Sequence, residues 1–286
     1  MGDRRDAKLV KNVDAMHKIM IHLKPNRCDS DVYINQKMDV TELVKYIEDK
    51  KKNDNDLTYF HAFVTLIGKT IYNRPLLNRF VINKAHYDKK DVSIGFVAKV
   101  NFEDEAKEMM SLIKIDKNDN LDSLKNKFKK SVSRIRKDEE QSTNSIVSIV
   151  GKLPKFILGI VVGIVKFMDR HDLLPKSFTD ENIYYSSVIV SNLGSIKSGA
   201  IYHNLTDFGT NSILCTIGEI KDELVLRNGK QEVRKICEFG INIDERIADG
   251  VYFIKSVKLM QDILNDPKLL EEKVSDKISE TTKYKY

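Results

Sequence analysis

A chain of 286 residues can bury a sizeable core, either in one large domain or in two small ones. Its 41% hydrophobic and 31% charged content excludes a disordered chain. The net charge of +6 comes from 48 basic and 42 acidic residues that are interspersed, so no concentrated basic face points to nucleic acid.

Met1-Gly2-Asp3-Arg4-Arg5-Asp6 is charged and leads into no apolar signal core, and position 6 lacks the Ser or Thr of a myristoylation signal. A cytoplasmic location is the default expectation. Residues 1–24 carry a weak helical pattern. Asp39-Val40-Thr41-Glu42 reads as a capping box, Asp39 as N-cap and Glu42 reaching back, ahead of an apolar stripe of Val40, Leu43, Val44 and Ile47. After a solvated KKKNDND run at 50–56, a second helix starts near Thr58, carries Phe60, Phe63, Val64, Ile67 and Ile71, and stops before Pro75. Val92, Ile94, Phe96, Ala98, Val100 and Phe102 take every second position, as in a strand with one buried face. A third helix is predicted over 121–137 with Leu121, Leu124, Phe128, Val132 and Ile135 on its stripe.

Phe156 to Val165 reads FILGIVVGIV between Lys155 and Lys166. A bilayer span needs about 20 apolar residues, so this run is too short. It is expected to form a buried or inter-subunit helix, with membrane-surface contact through 156–165 as the lesser reading. The C-terminal half is rich in β-branched and aromatic residues. Strands are expected at Tyr184–Val190 and Ser212–Ile220, and Glu223–Leu226 and Val233–Ile243 flank a hairpin signal at Asn228-Gly229. A last helix runs from Val251 to Leu264 and ends before Pro267. No internal repeat or linker divides the chain, so one domain over 1–286 is expected, its core about 30–265 and its polar tail 270–286 frayed. The mixture of helices and strands lacks regular βαβ alternation.

Two segments could carry chemistry. Ser191-Asn192-Leu193-Gly194 follows an apolar strand. A serine at a strand end, with a glycine letting the backbone turn, can aim its hydroxyl at a developing oxyanion, although the composition is also that of an ordinary turn. Asp244-Glu245-Arg246-Ile247-Ala248-Asp249-Gly250 places four charged residues ahead of the last helix. It reads equally as a functional loop or as a polar loop with Asp249 as N-cap. Among the six histidines, His203 lies in the same sheet region as Ser191, and His61 falls among Phe60, Phe63 and Val64 as a core or interface residue. No HxxxH or HExxH spacing suggests a metal. Cys28, Cys215 and Cys237 lack CxxC spacing, so neither a disulfide framework nor a cysteine zinc site is expected.

Together the two segments resemble the signatures of the acyltransferase family that holds chloramphenicol acetyltransferase and the dihydrolipoyl acyltransferase catalytic domains. Ser191-Asn192-Leu193-Gly194 is similar to the family's Ser-x-Leu-Gly strand end, and Asp244, Arg246, Asp249 and Gly250 match its Asp-His-Arg-x-x-Asp-Gly motif. Met38–Leu43, Leu57–Tyr59 and Pro75–Asn78 extend the likeness, so it covers roughly residues 30 to 265. The resemblance implies an α/β fold of the α+β two-layer kind, a mixed sheet packed against helices. It also implies acyl transfer from acyl-CoA or another thioester to a small hydroxyl or thiol acceptor, and a homotrimer with sites between subunits. Ser191 would hold the oxyanion and Asp249 would be the structural aspartate. Glu245 stands where the family has its histidine base, which leaves Glu245 or His203 for that role. A carboxylate, with a reference pKa near 4.3, is a weaker base than imidazole, near 6.5, by about two units. The departure opens a second reading, a catalytically silent member that binds a ligand or partner. The family arginine that pairs with the motif's aspartate has no equivalent in Asp14–Ile19.

Overall fold

The computed structural model describes residues 2–99, 108–137 and 152–279, without the side chains of 98, 99, 108, 109 and 134–137. The chain begins with β1 (Ala7–Leu9), α1 (Ala15–Leu23), β2 (Asp31–Asp39), α2 (Thr41–Lys51) and α3 (Tyr59–Asn73). Strands β3 (Arg79–Ile82), β4 (Ala85–Lys89), β5 (Val92–Lys99) and β6 (Glu108–Ile115) lead to α4 (Leu121–Lys137). Then come α5 (Lys155–Arg170), α6 (Lys176–Thr179), β7 (Val188–Asn192), β8 (Ile213–Arg227), β9 (Lys230–Asp244) and α7 (Gly250–Asn265).

Six strands form one mixed sheet in the order β2-β9-β8-β7-β5-β6, with β7 parallel to both β5 and β8 and the other neighbours antiparallel. β1, β4 and β3 make a small antiparallel sheet beside it. One face of the large sheet buries Ile94, Phe96, Val190, Cys215, Ile217, Phe239 and Ile241 against α2, α3, α4 and α7. The helices meet it with apolar stripes at i, i+3, i+4 and i+7, such as Phe60, Phe63, Val64 and Ile67 of α3. A smaller cluster on the other face holds Ile183, Ile189, Leu205 and Leu214. This is the two-layer mixed α/β architecture expected from the sequence.

Local signals explain most boundaries. Thr58 caps α3: its hydroxyl accepts the His61 N–H at 3.4 Å, and His61 Nδ1 accepts the Thr58 N–H at 3.2 Å. Asp39 accepts from the Thr41 N–H and hydroxyl at 3.0 and 2.6 Å, but Glu42 does not reach back. Glu42 lies instead beside Lys45 and Arg234. At the hairpin turn Asn228 and Gly229 have φ of 51° and 77°, the left-handed values that match the strand twist. Past Ile217 β8 loses β7, and past Ile236 β9 loses β2, so residues 221–234 project as a two-stranded ribbon.

Several expectations change. Residues 1–24 include strand β1 ahead of α1. Strand β6 has no counterpart in the sequence reading, because its core-facing side includes the buried Ser111 and breaks the apolar alternation. The predicted strand continuation through Val100 and Phe102, and the Ile135 side chain, lie outside the described residues. Residues 271–279 are docked rather than frayed: Val274 is fully buried and donates its N–H to the Asp119 carbonyl at 2.7 Å. Buried Lys69 donates to the Lys273 carbonyl at 3.0 Å. Residues 280–286 lie outside the described residues. The run 156–165 is helical, but no described element buries it. Phe156 is 79% and Phe167 57% exposed, and only Asp169 of α5 is buried. Among the described residues no helix is long and apolar enough to cross a membrane.

Candidate active site

Strand β7 is short and central, so its end opens between the longer β8 and the helix layer. Ser191 and Asn192 lie at that end and border a cleft of about 1180 Å³. The cleft runs from the 191–196 turn to Phe96, Phe128 and His61 on the helix side, with Glu219 on its rim. Among the described residues the Ser191 hydroxyl has no hydrogen-bond partner, so it is available to a ligand. Gly194 is needed for space rather than for a left-handed turn, since a Cβ there would lie 2.7 Å from the Gly218 carbonyl oxygen. The left-handed residue of this turn is Lys197, at φ 57°.

The second motif forms a turn between β9 and α7. Asp244 and Arg246 make a buried bidentate pair, both bonds 2.8 Å. Arg246 also donates to the Lys24 and Pro25 carbonyls at 2.9 and 3.0 Å, and its own carbonyl oxygen is 2.9 Å from His86 Nε2. Asp249 is the N-cap of α7, accepting the Tyr252 N–H at 2.8 Å. The arginine of this region is Arg27, buried 3.9 Å from Asp244 rather than beside Asp249. It donates to the Thr206 and Gly209 carbonyls at 2.6 and 3.0 Å, and burial pulls its pKa down. Glu245 points away from these groups and forms an ion pair with Lys24.

The sheet register separates the candidates. Ser191 is level with Thr216 of β8, and Thr216 with Gly240 of β9. From Gly240 the strand continues to Glu245, about 17 Å at roughly 3.4 Å per residue. Glu245 and Ser191 therefore occupy opposite ends of the sheet. His203 is exposed, and its N–H donates to the Asn242 side chain at 3.3 Å, two residues along β9 from the Ser191 level and three short of Glu245. One copy of the chain thus keeps Ser191 and Glu245 apart and leaves His203 between their two levels.

Two groups near these ends were not singled out from the sequence for catalysis. His61 borders the Ser191 cleft, where burial, aided by Lys125 and Lys129, lowers its pKa to about 4. Its ring is neutral at pH 7, with Nδ1 engaged by Thr58. The available signal was its place three residues after the Thr58 N-cap. Asp31 opens β2 opposite Asp244, and burial, reinforced by Asp244, pushes its carboxyl up to about 6. Among the described residues, Arg27 Nε, Asp31 Oδ1, Ser212 Oγ and Asn242 Nδ2 are buried at this end without a hydrogen bond. Buried polar atoms of this kind mark strained or solvent-filled corners. Among the described residues no group of His, Cys, Asp and Glu is placed to hold a metal ion.

Residues 171–271 match the family model described as 2-oxoacid dehydrogenases acyltransferase (catalytic domain). No curated protein sequence matches the chain. Among solved structures, a probable dihydrolipoamide acetyltransferase from Listeria monocytogenes aligns with a TM-score of 0.58 at 14% identity, over 90% of this chain and 94% of that one. A truncated catalytic core of the 2-oxoacid dehydrogenase multienzyme complex from Thermoplasma acidophilum gives 0.57 at 14% identity, over 90% and 98%. A chloramphenicol acetyltransferase gives 0.53 at 10% identity, over 90% and 99%. The chain therefore has the chloramphenicol acetyltransferase-like fold. Its similarity to the acyltransferase catalytic domain extends, at the level of sequence, over the part that carries both motifs.

Proposed function

We propose that the protein transfers an acyl group from a thioester, acyl-CoA in the first instance, to a small hydroxyl or thiol acceptor. The reaction would take place at sites formed between copies of the chain in a homotrimer. The single observation that carries this reading is the separation of Ser191 from Glu245 across the sheet, beside an open cleft at the serine. A serine hydroxyl free to donate is suited to the oxyanion of a tetrahedral intermediate. The base must then come from a second copy, whose Asp244–Gly250 turn would face the first copy's cleft. Glu245, freed from Lys24, would take the acceptor's proton as the acceptor oxygen or sulfur bonds to the thioester carbonyl carbon. Collapse of the intermediate breaks the C–S bond and releases the CoA thiolate, which is protonated.

The Lys24–Glu245 ion pair favours a second reading, a silent member that binds its ligand without turnover. One experiment separates the two. Free CoA release is followed for a panel of acyl-CoAs with wild type, Ser191→Ala, Glu245→Gln and an equal mixture of the two variants refolded together. Each variant alone should be nearly inactive. Mixed trimers regain sites in which the serine and the glutamate come from different copies, restoring about a quarter of wild-type activity. Wild-type protein that binds acyl-CoA but releases no CoA supports the silent member. Activity that survives Glu245→Gln and disappears in His203→Ala moves the base to His203.

A further inference from the structure

Helix α5 has an unusual distribution of side chains. At about 100° per residue, its ten apolar residues from Phe156 to Met168 cover roughly 240° of the circumference. Lys155, Lys166 and Arg170 share the remaining arc with Gly159 and Gly163, the three basic groups falling within about 60° of one another. The helix's one acidic residue, Asp169, is turned into the body. There it accepts from the Tyr185 hydroxyl at 2.6 Å and the Gly209 N–H at 2.9 Å. Further ties to the body are also at this C-terminal end, from Arg4 to the Asp169 carbonyl at 3.3 Å and from Asn83 to the Arg170 carbonyl at 2.5 Å. The exposed polar face is thus purely cationic, and Phe156, Ile160, Ile164 and Phe167 form an exposed apolar ridge.

We propose that α5 is a docking element for an anionic lipid surface, lying in the plane of the headgroups without crossing them. Leu158, Val161, Val165 and Met168 are half-buried on the side of Asp169. The apolar side left open is therefore the ridge of Phe156, Ile160, Ile164 and Phe167 next to the cationic strip, which is covered when the helix sinks about 5–10 Å into the interface. The cationic strip remains at headgroup level, complementary to negatively charged lipids, with its alkyl stems along the apolar boundary. Sixteen residues give a rod about 24 Å long, too short to span but long enough to lie flat. This inference does not depend on the acyl-transfer reading.

The test uses the full chain and sized vesicles, either of phosphatidylcholine alone or with about a third phosphatidylserine. Because the sequence has no tryptophan, Phe156→Trp supplies a sole indole reporter at a largely exposed residue. Its emission should shift to the blue with the anionic vesicles. Flotation should recover wild type with these vesicles and much less with the neutral ones. Ile160→Asn combined with Ile164→Asn, both exposed and free to change without disturbing the core, should lower partitioning by about tenfold or more. Lys155→Gln and Lys166→Gln should each lower it by about fivefold at low salt. Light scattering without lipid completes the set. Wild type that stays with the buffer, or binding undiminished in the double isoleucine variant, overturns the proposal. Loss of assembly in that variant, with no vesicle binding by wild type, assigns the ridge to a second copy of the chain.

Discussion

The two motif loops are built to different standards. The Asp244–Gly250 turn is fixed by its own fold: a buried bidentate ion pair, two carbonyls on Arg246, and a helix cap at Asp249. The Ser191–Ile196 turn is held by local bonds, such as Ser195 to the Asn192 carbonyl, and by close packing of Gly194 on Gly218. Among the described residues it has no buried ion pair, and its serine is left unengaged beside the cleft. Asp244, Arg246 and Asp249 have folding roles that account for their presence whether or not the protein turns over substrate. Retention of their pattern therefore says little about chemistry, which in the proposed reaction would rest on Ser191 and Glu245.

The strongest way to break this comparison is Arg246→Ala. It removes both charged hydrogen bonds from the buried Asp244 carboxylate, leaving only Arg27 at 3.9 Å as a counter-charge, and should cost about 3–5 kcal/mol of stability in urea unfolding. A small loss would mean that the turn is not fixed in this way. Ser191→Ala should do the opposite. Unfolding should be little changed, while transition-state stabilisation falls by about 2.7–4 kcal/mol, read as kcat/KM for CoA release. A comparable loss of folding stability would make the serine a structural residue.

A third measurement sharpens the picture of the cleft wall through pH. The folded pKa of His61 is lowered to about 4 by burial, with Lys125 and Lys129 adding to it, against an ordinary 6.5. The unfolded chain therefore takes up this proton first. The stability contributed by the neutral ring is complete above about pH 6.5 and is lost as the pH falls towards 4. His61→Gln keeps a side chain suited to the third position of a capping box and should flatten the pH dependence of unfolding in that window. An unchanged profile would show His61 to be solvated. The smallest effect is expected at Asp249→Ala, about 1 kcal/mol of stability from the lost cap, with Asp249→Ser recovering most of it. A loss of turnover in Asp249→Ser with normal stability would give Asp249 a role in catalysis.

Much of the fold was legible because its signals are local. The α3 start at Thr58, the Asn228-Gly229 hairpin and the last helix are set by neighbours in sequence. Of the buried or inter-subunit helix expected at 156–165, burial within one copy is not found for α5 among the described residues, because an apolar run states what a helix prefers and not what covers it. Residues 271–279 were misjudged for the converse reason, since two apolar residues and a few main-chain bonds dock a segment whose composition is polar. At the site, the two motifs were visible as patterns. Their separation follows from the strand register, Ser191 with Thr216 and Thr216 with Gly240, which joins residues far apart in sequence. Lys24 opposite Glu245 and Arg27 beside Asp244 are likewise long-range pairings without a periodic trace.

The ribbon at 221–234 determines which part of the molecule opens first. Leu224 and Val233 are a cross-strand pair on one of its faces, with Leu226 beside them, and all three are exposed. A two-stranded hairpin without a third strand or a covered face is marginally stable in water. In the isolated chain its outer amides should exchange with solvent long before those of β5 or β7, whose bonds lie in the body of the sheet. In an assembled form that covers these leucines, the same amides should slow. Hydrogen exchange along this hairpin then measures how much of its order is supplied by a neighbouring subunit.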